Sequence, residues 1–313
     1  MRCREELRSK IKSVIKKNYW GRLFISELHC IESWLLPKII DDESAIRMYY
    51  KKKMGKDLDL DNPLLFSEKM NWYKLHNRNP LMQKCADKLS VREYVSSAGY
   101  SDCLNHLLGV YDRACEINPS TLPERFVLKA SHGSHMSLVV KDNKNEINWN
   151  LQKLLMQSWL HQNIYWSARE WVYRDIPRRI IAEAYLEDET GELKDYKFFC
   201  FNGKPYYMQF DGNRLSESQY RNFYDMEMNC LPIMDTVPNR FDAELPITRE
   251  VFEKMKKVSA DLAAPFQFVR VDLYAVESKV FFGELTFFDA GGQCNMEPKE
   301  WDEIWGRNWH LEE

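Results

Sequence analysis

The stretch that decides the fold runs Val269-Arg270-Val271-Asp272-Leu273-Tyr274 and, after a short break, Val280-Phe281-Phe282-Gly283-Glu284-Leu285-Thr286-Phe287. Both halves are rich in β-branched and aromatic residues, so they predict two strands joined by a turn at residues 275–279, which contain no Asn-Gly or Asp-Gly pair. Pairing would bring Asp272 near Glu284, with Arg270 beside them. Two such carboxylates suit a hard cation such as Mg2+ that also holds substrate phosphates, and an arginine there can stabilise a transferred phosphoryl group. The alternative is an acidic pair on the solvated face of a hairpin.

The composition is that of an ordinary globular protein. The 313 residues are 44% hydrophobic and 29% charged, which allows two or three domains, and the net charge of -3 gives no reason to expect a nucleic-acid partner. None of the eight cysteines forms a CxxC pair, and their scatter fits reduced thiols better than disulfides. We find no signal peptide and no apolar run long enough to span a bilayer, so the sequence predicts a cytoplasmic protein.

Apolar periodicity predicts an α+β chain without internal repeats. Helices are expected at residues 27–60, from an N-cap at Ser67, and at 84–98, 149–171 and 248–263. Strands are expected at residues 107–111, 126–130, 179–185, 196–201 and 205–210, and Asn202-Gly203 predicts a hairpin turn between the last two.

Several of these elements carry residues that suit a nucleotide. Lys129 ends a strand, and the small-residue loop after it contains Ser131 and Gly133, whose N–H groups could join the ammonium at a triphosphate, although an ordinary polar turn is the commoner explanation. Glu183 either accepts from an adenine amino group or belongs to an alternating edge strand. Asp195 and Lys197 share a strand face, where they address a ribose and a phosphate or pair with each other.

The order of these segments resembles that of the ATP-grasp superfamily, and more closely that of the TupA-like ATP-grasp proteins of teichuronopeptide and surface-polysaccharide gene clusters. The resemblance covers roughly residues 60 to 305. The segments that carry it are Phe66-Ser67-Glu68-Lys69-Met70, Asp87-Lys88-Leu89-Ser90-Val91-Arg92-Glu93-Tyr94, Phe126-Val127-Leu128-Lys129, residues 195–205, Arg221-Asn222-Phe223-Tyr224-Asp225, Phe268-Val269-Arg270-Val271-Asp272 and Gly283-Glu284-Leu285-Thr286-Phe287.

The resemblance implies an ATP-grasp fold, in which lid and catalytic α+β subdomains clamp ATP, with a helical N-terminal extension. The implied domains are an extension at 1–60, a pre-ATP-grasp region at 61–120, a lid at 121–186 and a catalytic subdomain at 187–313. Implied site residues are Lys88, Lys129, Ser131 and Gly133 at phosphates, Glu183, Ala184, Tyr185 and Leu186 at adenine, Asp195 at the ribose, Asp272, Glu284 and Thr286 at Mg2+, and Arg270 and Lys197 in catalysis.

Two positions depart from the family's pattern. Thr286 stands where many ATP-grasp ligases have an asparagine metal ligand, and Asp289 stands where relatives often have proline. Threonine is a weaker ligand than asparagine, so the resemblance leaves the metal geometry open. Asp289 would act as a base towards the substrate or turn the chain.

The resemblance implies an ATP-dependent carboxylate–amine ligase that works through an acyl phosphate. One substrate would be a uronic acid of a capsule or O-antigen precursor and the other an amino acid or amine. Arg214 and Arg221 are the candidates for the acidic substrate, since a guanidinium binds a carboxylate bidentately, and surface arginines are the alternative. A glycosyltransferase of the same polysaccharide, binding a nucleotide-sugar, is the second hypothesis, and a non-catalytic binding protein is the third.

The first 24 residues are basic, with Leu7, Ile11 and Val14 at helical spacing. A terminal helix docked on its own domain is the favoured interpretation, and a helix lying on an anionic inner-membrane surface is the alternative. If the alternative holds, deletion of residues 1–24 will abolish co-sedimentation with anionic vesicles and leave ATP binding intact. Equal sedimentation of both forms would dispose of it.

Overall fold

The computed structural model describes Gly21, residues 40–213 and residues 216–312, which divide into two units. The first unit includes residues 106–167 and 173–185, and the second includes residues 42–105, 168–172 and 186–312. The basic segment at residues 1–24 and the substrate candidate Arg214 lie outside the described residues.

The described elements follow one another in a mixed order that confirms the α+β class. The helices are α1 (Asp42–Met54), α2 (Phe66–His76), α3 (Pro80–Ala86), α4 (Val91–Ser97), α5 (Trp149–His161), α6 (Tyr165–Ala168), α7 (Arg249–Ala263) and α8 (Glu300–Asn308). The strands are β1 (Leu107–Tyr111), β2 (Phe126–Ala130), β3 (Ser137–Val140), β4 (Ile180–Ala184), β5 (Asp195–Phe201), β6 (Lys204–Gly212), β7 (Tyr220–Asp225), β8 (Cys230–Leu231), β9 (Phe268–Val276) and β10 (Lys279–Thr286). None of the described helices has the length and apolar character needed to cross a bilayer.

Four helix predictions were wrong in extent. Within the described residues, the helix expected at 27–60 is α1, which begins at Asp42 and ends at Met54. The helix expected at residues 149–171 is α5 followed by the short α6, and the one expected at 84–98 is two helices, α3 and α4. The chain breaks between α3 and α4 because Asp87 accepts hydrogen bonds from the backbone N–H groups of Leu89 and Ser90. These bonds stabilise a turn in place of a continuous helix. Ser67 is not an N-cap, since α2 begins at Phe66.

The first unit is built on an antiparallel sheet of order β1-β4-β2-β3. In β2 the alternate residues Phe126, Leu128 and Ala130 are buried, and they belong to a core that includes Met156 and Trp159 of α5. Because side chains alternate along a strand, Lys129 lies on the face of the sheet away from this core.

The second unit is built on a six-stranded antiparallel sheet of order β10-β9-β5-β6-β7-β8. Phe198 of β5 faces α7, where the ring of Phe252 lies 5.7 Å away. The neighbouring residues Lys197 and Phe199 point to the opposite face, where the ring of Phe199 lies 4.7 Å from that of Trp305 in α8. One face is therefore an apolar core, and the other combines charged side chains with an aromatic cluster.

Helices α2 and α8 are joined by polar contacts on the charged side of this sheet. Asp302 accepts from the backbone N–H of Ser67 at 2.8 Å and from its hydroxyl at 2.7 Å. The ammonium of Lys69 donates to the carbonyl oxygens of Gly306 and Trp309 at the C-terminal end of α8. Cations there complement the helix dipole, so the Phe66–Met70 segment fastens the C-terminal helix in place.

Gly306 marks the closest approach of the two helices. A Cβ at this position would lie 2.1 Å from the carbonyl oxygen of Leu64. We expect Gly306→Ala to lower the free energy of unfolding by about 2 kcal/mol, since the clash outweighs the helix propensity of alanine. Urea denaturation measures this. The matched change Glu303→Ala, at an exposed position of the same helix, is expected to stay within about 0.5 kcal/mol, and equal stability of the two variants would contradict the close contact.

A charged sheet face as the candidate active site

The hairpin expected from the opening stretch is confirmed. Strands β9 and β10 pair antiparallel, with Glu284 opposite Asp272 and Thr286 opposite Arg270. The register shifts at Gly283, where a Cβ would lie 2.8 Å from the carbonyl oxygen of Asp272. The turn is two residues, 277–278, which is tighter than the sequence predicted. The bulge at a glycine therefore accompanies a register that puts the two carboxylates side by side.

Arg270 makes four side-chain hydrogen bonds on this face. Its Nε and Nη2 donate to the two carboxylate oxygens of Asp272, both at 2.7 Å, and Nη1 donates to Asp289. Nη2 also donates to the hydroxyl of Thr286 at 3.2 Å. Burial alone would lower the pKa of Arg270, but Asp272 and Asp289 hold it well above the ordinary value. The guanidinium is therefore a permanent cation in a fixed orientation.

Glu284 contacts a second cation, Lys88, whose ammonium lies 3.0 Å from its carboxylate. Lys88 belongs to the break between α3 and α4, so the turn that Asp87 makes there also presents Lys88 to β10. The sequence predicted Lys88 at a phosphate, and the structure places it beside one of the two predicted metal ligands.

The donors at this hairpin fit a hard cation. Asp272 and Glu284 supply carboxylate oxygens and Thr286 a hydroxyl, and Mg2+ in nucleotide sites commonly takes one or two carboxylates together with substrate phosphates and water. No group of three or more His, Cys, Asp and Glu side chains is gathered for a metal within the described ranges. Burial raises the pKa of Asp272 to about 7, against the opposing effect of Arg270. Because Arg270 already donates to both oxygens of Asp272, a metal ion bound there would share this carboxylate with the guanidinium.

The neighbouring strands continue the pattern of paired charges. Lys197 lies opposite Asp272 in the β5–β9 register and donates to Asp195 of its own strand and to Asp211 of β6, the latter at 2.9 Å. Asp195 and Lys197 thus pair, which is one of the two alternatives that the sequence left open. Burial would lower the pKa of Lys197, but the surrounding aspartates, Asp195 first, raise it above the ordinary value.

Asp211 joins this group to β7. It accepts from Nε of Arg221, from Lys197 and from the amide of Gln209, and Arg221 also donates to Asp235. The sequence analysis missed Asp211, Gln209 and Asp235. The Asn202-Gly203 turn held the signal for Asp211, because a tight hairpin at that point sets β6 antiparallel to β5 and places Asp211 opposite Asp195.

A cavity of about 410 Å3 opens on the same face of the second unit. Arg270 and Asp289 line it beside β9, and Arg221 and Asp235 line it beside β7, with Lys197 between them. Its apolar lining includes the aromatic side chains of Phe199, Phe223 and Trp305. The structure thus brings together four of the residues that the sequence proposed separately for catalysis and substrate binding: Arg270, Lys197, Arg221 and Asp289.

The loop after β10 holds Asp289 in place through an unusual backbone. Ala290, Gly291 and Gly292 all have positive φ, of 47°, 63° and 77°. Two side chains of α2 bond this loop: Asn71 donates to the carbonyl oxygen of Gly292 at 2.7 Å, and Lys74 donates to that of Gly291 at 2.6 Å. Asp289 therefore contacts Arg270 from the start of the turn that Ala290, Gly291 and Gly292 form.

In the first unit the predicted adenine and phosphate residues pair with each other. The ammonium of Lys129 on β2 lies 2.7 Å from the carboxylate of Glu183 on β4, and both side chains are largely buried. Tyr185 lies beside Arg125, whose guanidinium is 5.0 Å from the ring centroid. Ala184 donates its N–H to the carbonyl oxygen of His106.

The loop after β2 is held closely. The backbone N–H of Ser131 donates to the carbonyl oxygen of Arg179 at 2.9 Å, and Ser131 is buried. Gly133 lies in the turn to β3, and Leu186 begins the next stretch of the second unit. The proposed roles of these residues towards a nucleotide stay predictions.

The family model for TupA-like ATP-grasp proteins matches residues 68–310, which is most of the chain. The chain belongs to the TupA-like ATP-grasp family. The ATP-grasp fold that the sequence predicted is therefore confirmed, and the two antiparallel sheets described above are its sheets in this protein. No match was found among curated proteins.

Solved ATP-grasp structures are similar over part of their length. The ADP complex of purK, an N5-carboxyaminoimidazole ribonucleotide synthetase, is 13% identical with a TM-score of 0.44, covering 71% of this chain and 51% of that one. D-alanine–D-alanine ligase from Bacillus anthracis is 15% identical with a TM-score of 0.36, covering 70% and 58%. The ligase PsnB, complexed with minimal precursor, Mg and ADP, is 9% identical with a TM-score of 0.39, covering 71% and 57%. The chain thus spans between half and three-fifths of these proteins.

Lys74, which bonds the loop after β10 in this ATP-grasp protein, should make the stability of the protein depend on pH. Burial lowers its pKa to about 8, against the opposing effect of Glu170. Between pH 8 and about 10.4 the unfolded chain binds the extra proton, so this lysine makes stability rise with pH in that window, by at most about 1.4 kcal/mol per pH unit. The excess stability of wild type over Lys74→Met, measured by urea denaturation, is expected to grow from pH 8 to pH 10.

The control is Lys84→Met, at an exposed lysine on α3. Its stability difference from wild type should stay constant across the same pH range. A constant difference for Lys74→Met as well would contradict a buried lysine with a lowered pKa.

Proposed function

We propose that this protein is an ATP-dependent carboxylate–amine ligase that forms an amide through an acyl phosphate. The observation that carries the proposal is the β9–β10 hairpin, with Asp272 opposite Glu284 and Arg270 and Lys88 bonded to them, in a chain of the ATP-grasp family. ATP and Mg2+ are the cofactors that this assignment requires.

The chemistry explains why such a cluster suits the reaction. A carboxylate is a poor electrophile at neutral pH, and phosphorylation gives it a good leaving group. The protein must neutralise the phosphate charge, align the carboxylate and exclude water. Bound Mg2+ would neutralise phosphate oxygens and orient them. Arg270, whose orientation Asp272 and Asp289 fix, stabilises the transferred phosphoryl group without reorganisation during the step.

We assign the nucleotide-binding roles residue by residue. Lys129, with Ser131 and Gly133 in the following loop, binds phosphates, and Lys88 binds a phosphate when it leaves Glu284. Glu183 and the backbone at Ala184, Tyr185 and Leu186 hold adenine. Asp195 can address the ribose only if its pair with Lys197 opens, because it is buried in that pair.

The ligand set for the cation follows from the hairpin. We propose Asp272 and Glu284 as its protein ligands, with the Thr286 hydroxyl beside them. Thr286 already bonds Arg270 and lies 3.4 Å from Glu284, so it helps to orient both groups.

We propose that residues 121–186 form the lid subdomain and residues 187–313 the catalytic subdomain, after a pre-ATP-grasp region at 61–120. The division of the chain into units between residues 185 and 186 supports the boundary after the lid. Limited proteolysis with and without ATP tests it, since a protected 121–186 fragment is expected only with nucleotide.

The proposed substrates are an acidic sugar of a surface-polysaccharide precursor, such as a uronic acid, and an amino acid or amine. Support comes from the cavity beside Arg270, which Arg221 and Asp289 also line. Asp289 is assigned to the substrate on that basis, and Arg214 stays a candidate from the sequence alone. A peripheral association of residues 1–24 with the membrane likewise stays a prediction.

Calorimetry with nucleotides tests the assignment most directly. We expect ATP to bind only weakly without Mg2+ and at least about tenfold more tightly with it, because the carboxylates recruit the metal and the metal recruits the phosphates. Glu284→Ala should abolish most of this Mg2+ dependence. The control Glu277→Asn changes an exposed acid in the turn of the same hairpin to a residue that tolerates its positive φ, and should bind as wild type.

Binding of a UDP-sugar without any response to ATP would reverse the assignment in favour of a glycosyltransferase. If ATP binds, phosphate release with mixtures of uronic acids and amino acids identifies the reaction, since release should require both substrates. ATP binding without release across the panel would favour a non-catalytic binding protein.

A further inference from the structure

We propose that the part of the cavity beside β7 is a carboxylate-binding site, in which Arg221 is the main contact and Asp211 is the residue that positions it. The inference deepens the proposed function, because the ligand would be one of the two substrates of the ligase. The ligand class named here is a small molecule with a carboxylate and a second polar part that reaches towards Arg270.

Arg221 has hydrogen-bonding capacity left over. A guanidinium carries five N–H groups, and here Nε donates to Asp211 and Nη1 to Asp235. The hydrogen bonds within the described residues use no further N–H of Arg221, which leaves one N–H of Nη1 and both N–H groups of Nη2 for a ligand in the cavity that this side chain lines. A carboxylate can accept from one N–H of each of these two nitrogens, so it matches what Arg221 offers.

Asp211 holds the donors of this region in one arrangement. It is buried and accepts from Arg221, Lys197 and Gln209, each of which lines the cavity, while Asp211 lies behind them. Burial would raise the pKa of Asp211, but Lys197 and Arg221 bring it well below the ordinary value. A permanent anion behind the wall therefore keeps two cations pointing towards the same space.

The charges that line the cavity favour an anion. Four cationic side chains line it against two carboxylates, and both carboxylates already accept from an arginine: Asp235 from Arg221 and Asp289 from Arg270. The buried indole N–H of Trp305, another lining residue, has no acceptor among the residues that the structure describes. The lining itself therefore carries two more cations than carboxylates.

The proposed site is centred on a different strand from the Arg270 cluster. Arg221 stands on β7 and Arg270 on β9, and β6 and β5 lie between these two strands. Three strand spacings are about 14 Å. A carboxylate at Arg221 would therefore anchor the ligand, and the group that reacts near Arg270 would belong to another part of the same molecule or to the other substrate.

The test uses two pairs of probes that differ only at the carboxylate. D-glucuronate is compared with D-glucose, and glycine with glycinamide, by saturation-transfer NMR titration of the full chain in the presence of Mg2+ and ATP. We expect at least one carboxylate probe to bind about tenfold or more tightly than its partner without a carboxylate. The glucuronate pair responds if the sugar acid supplies the carboxylate, and the glycine pair responds if the amine substrate supplies it.

Three variants assign the preference to the site. Arg221→Gln and Asp211→Asn should each reduce the preference for the carboxylate to within about threefold, while the probes without a carboxylate and ATP bind as before. Arg221→Lys keeps the charge but loses the bidentate geometry, and should retain part of the preference. Asp225→Asn is the control, since Asp225 ends the same strand and its carboxylate bonds the turn at residues 227–229.

Two results would overturn the carboxylate site. One is the absence of any carboxylate preference in both pairs while Mg2+-dependent ATP binding is normal, which leaves the proposed ligase standing. The other is a preference that survives in Arg221→Gln. Loss of ATP binding in wild type would instead count against the proposed function, so the two failures are distinguishable. In turnover, the same site predicts that Arg221→Ala raises the apparent KM for the carboxylate-bearing substrate.

Discussion

Pairing of buried charges on one face of the six-stranded sheet is the constraint on which the rest of the second unit depends. An unpaired ion in a protein interior costs several kcal/mol, and a pair is tolerated only when its geometry and its hydrogen bonds are good. Arg270, Lys197 and Arg221 stand on three different strands, and each contacts at least two carboxylates. The face can carry three cations only because aspartates occupy the positions between them.

This arrangement makes the site rigid, and it also makes ligand binding cost free energy. Groups that are held by neighbours before the substrate arrives stabilise developing charge without moving. The same bonds must be shared or broken when ligands bind, most visibly at Glu284, which now contacts Lys88. Phosphates that recruit Lys88 would release Glu284 for a cation, so the two events would be coupled. Nucleotide and metal should therefore bind cooperatively.

Much of this site could be predicted from the sequence because side chains alternate between the two faces of a strand, so the sequence shows which residues share a face. The predicted pairing of the two strands of the first hairpin placed Asp272 beside Glu284, and the Asn202-Gly203 turn fixed the next hairpin. The residues missed either have no motif of their own or bond partners far away in the chain. Asp211 has no motif of its own, and Asn71 and Lys74 on α2 bond a loop more than 210 residues later. No local sequence pattern predicts contacts between residues so distant in the chain.

The helix predictions failed for a different reason. Asp87 sits in a run that reads as continuous helix, yet its carboxylate bonds the following N–H groups and ends α3. The turn at Asp87 also brings Lys88 into contact with Glu284. Ser67, expected as a cap, instead bonds Asp302 in α8. Asp87 thus helps to position Lys88 in the site, and Ser67 helps to fix α8.

We propose that Asp272 and Glu284 hold a cation for a nucleotide. Anomalous diffraction from crystals grown with Mn2+ and a non-hydrolysable ATP analogue would locate this cation. We expect a Mn2+ peak within about 2.5 Å of oxygens from both carboxylates, with Lys88 moved from Glu284 to a phosphate. Nucleotide bound with Mn2+ elsewhere, and Glu284 still paired with Lys88, would contradict it.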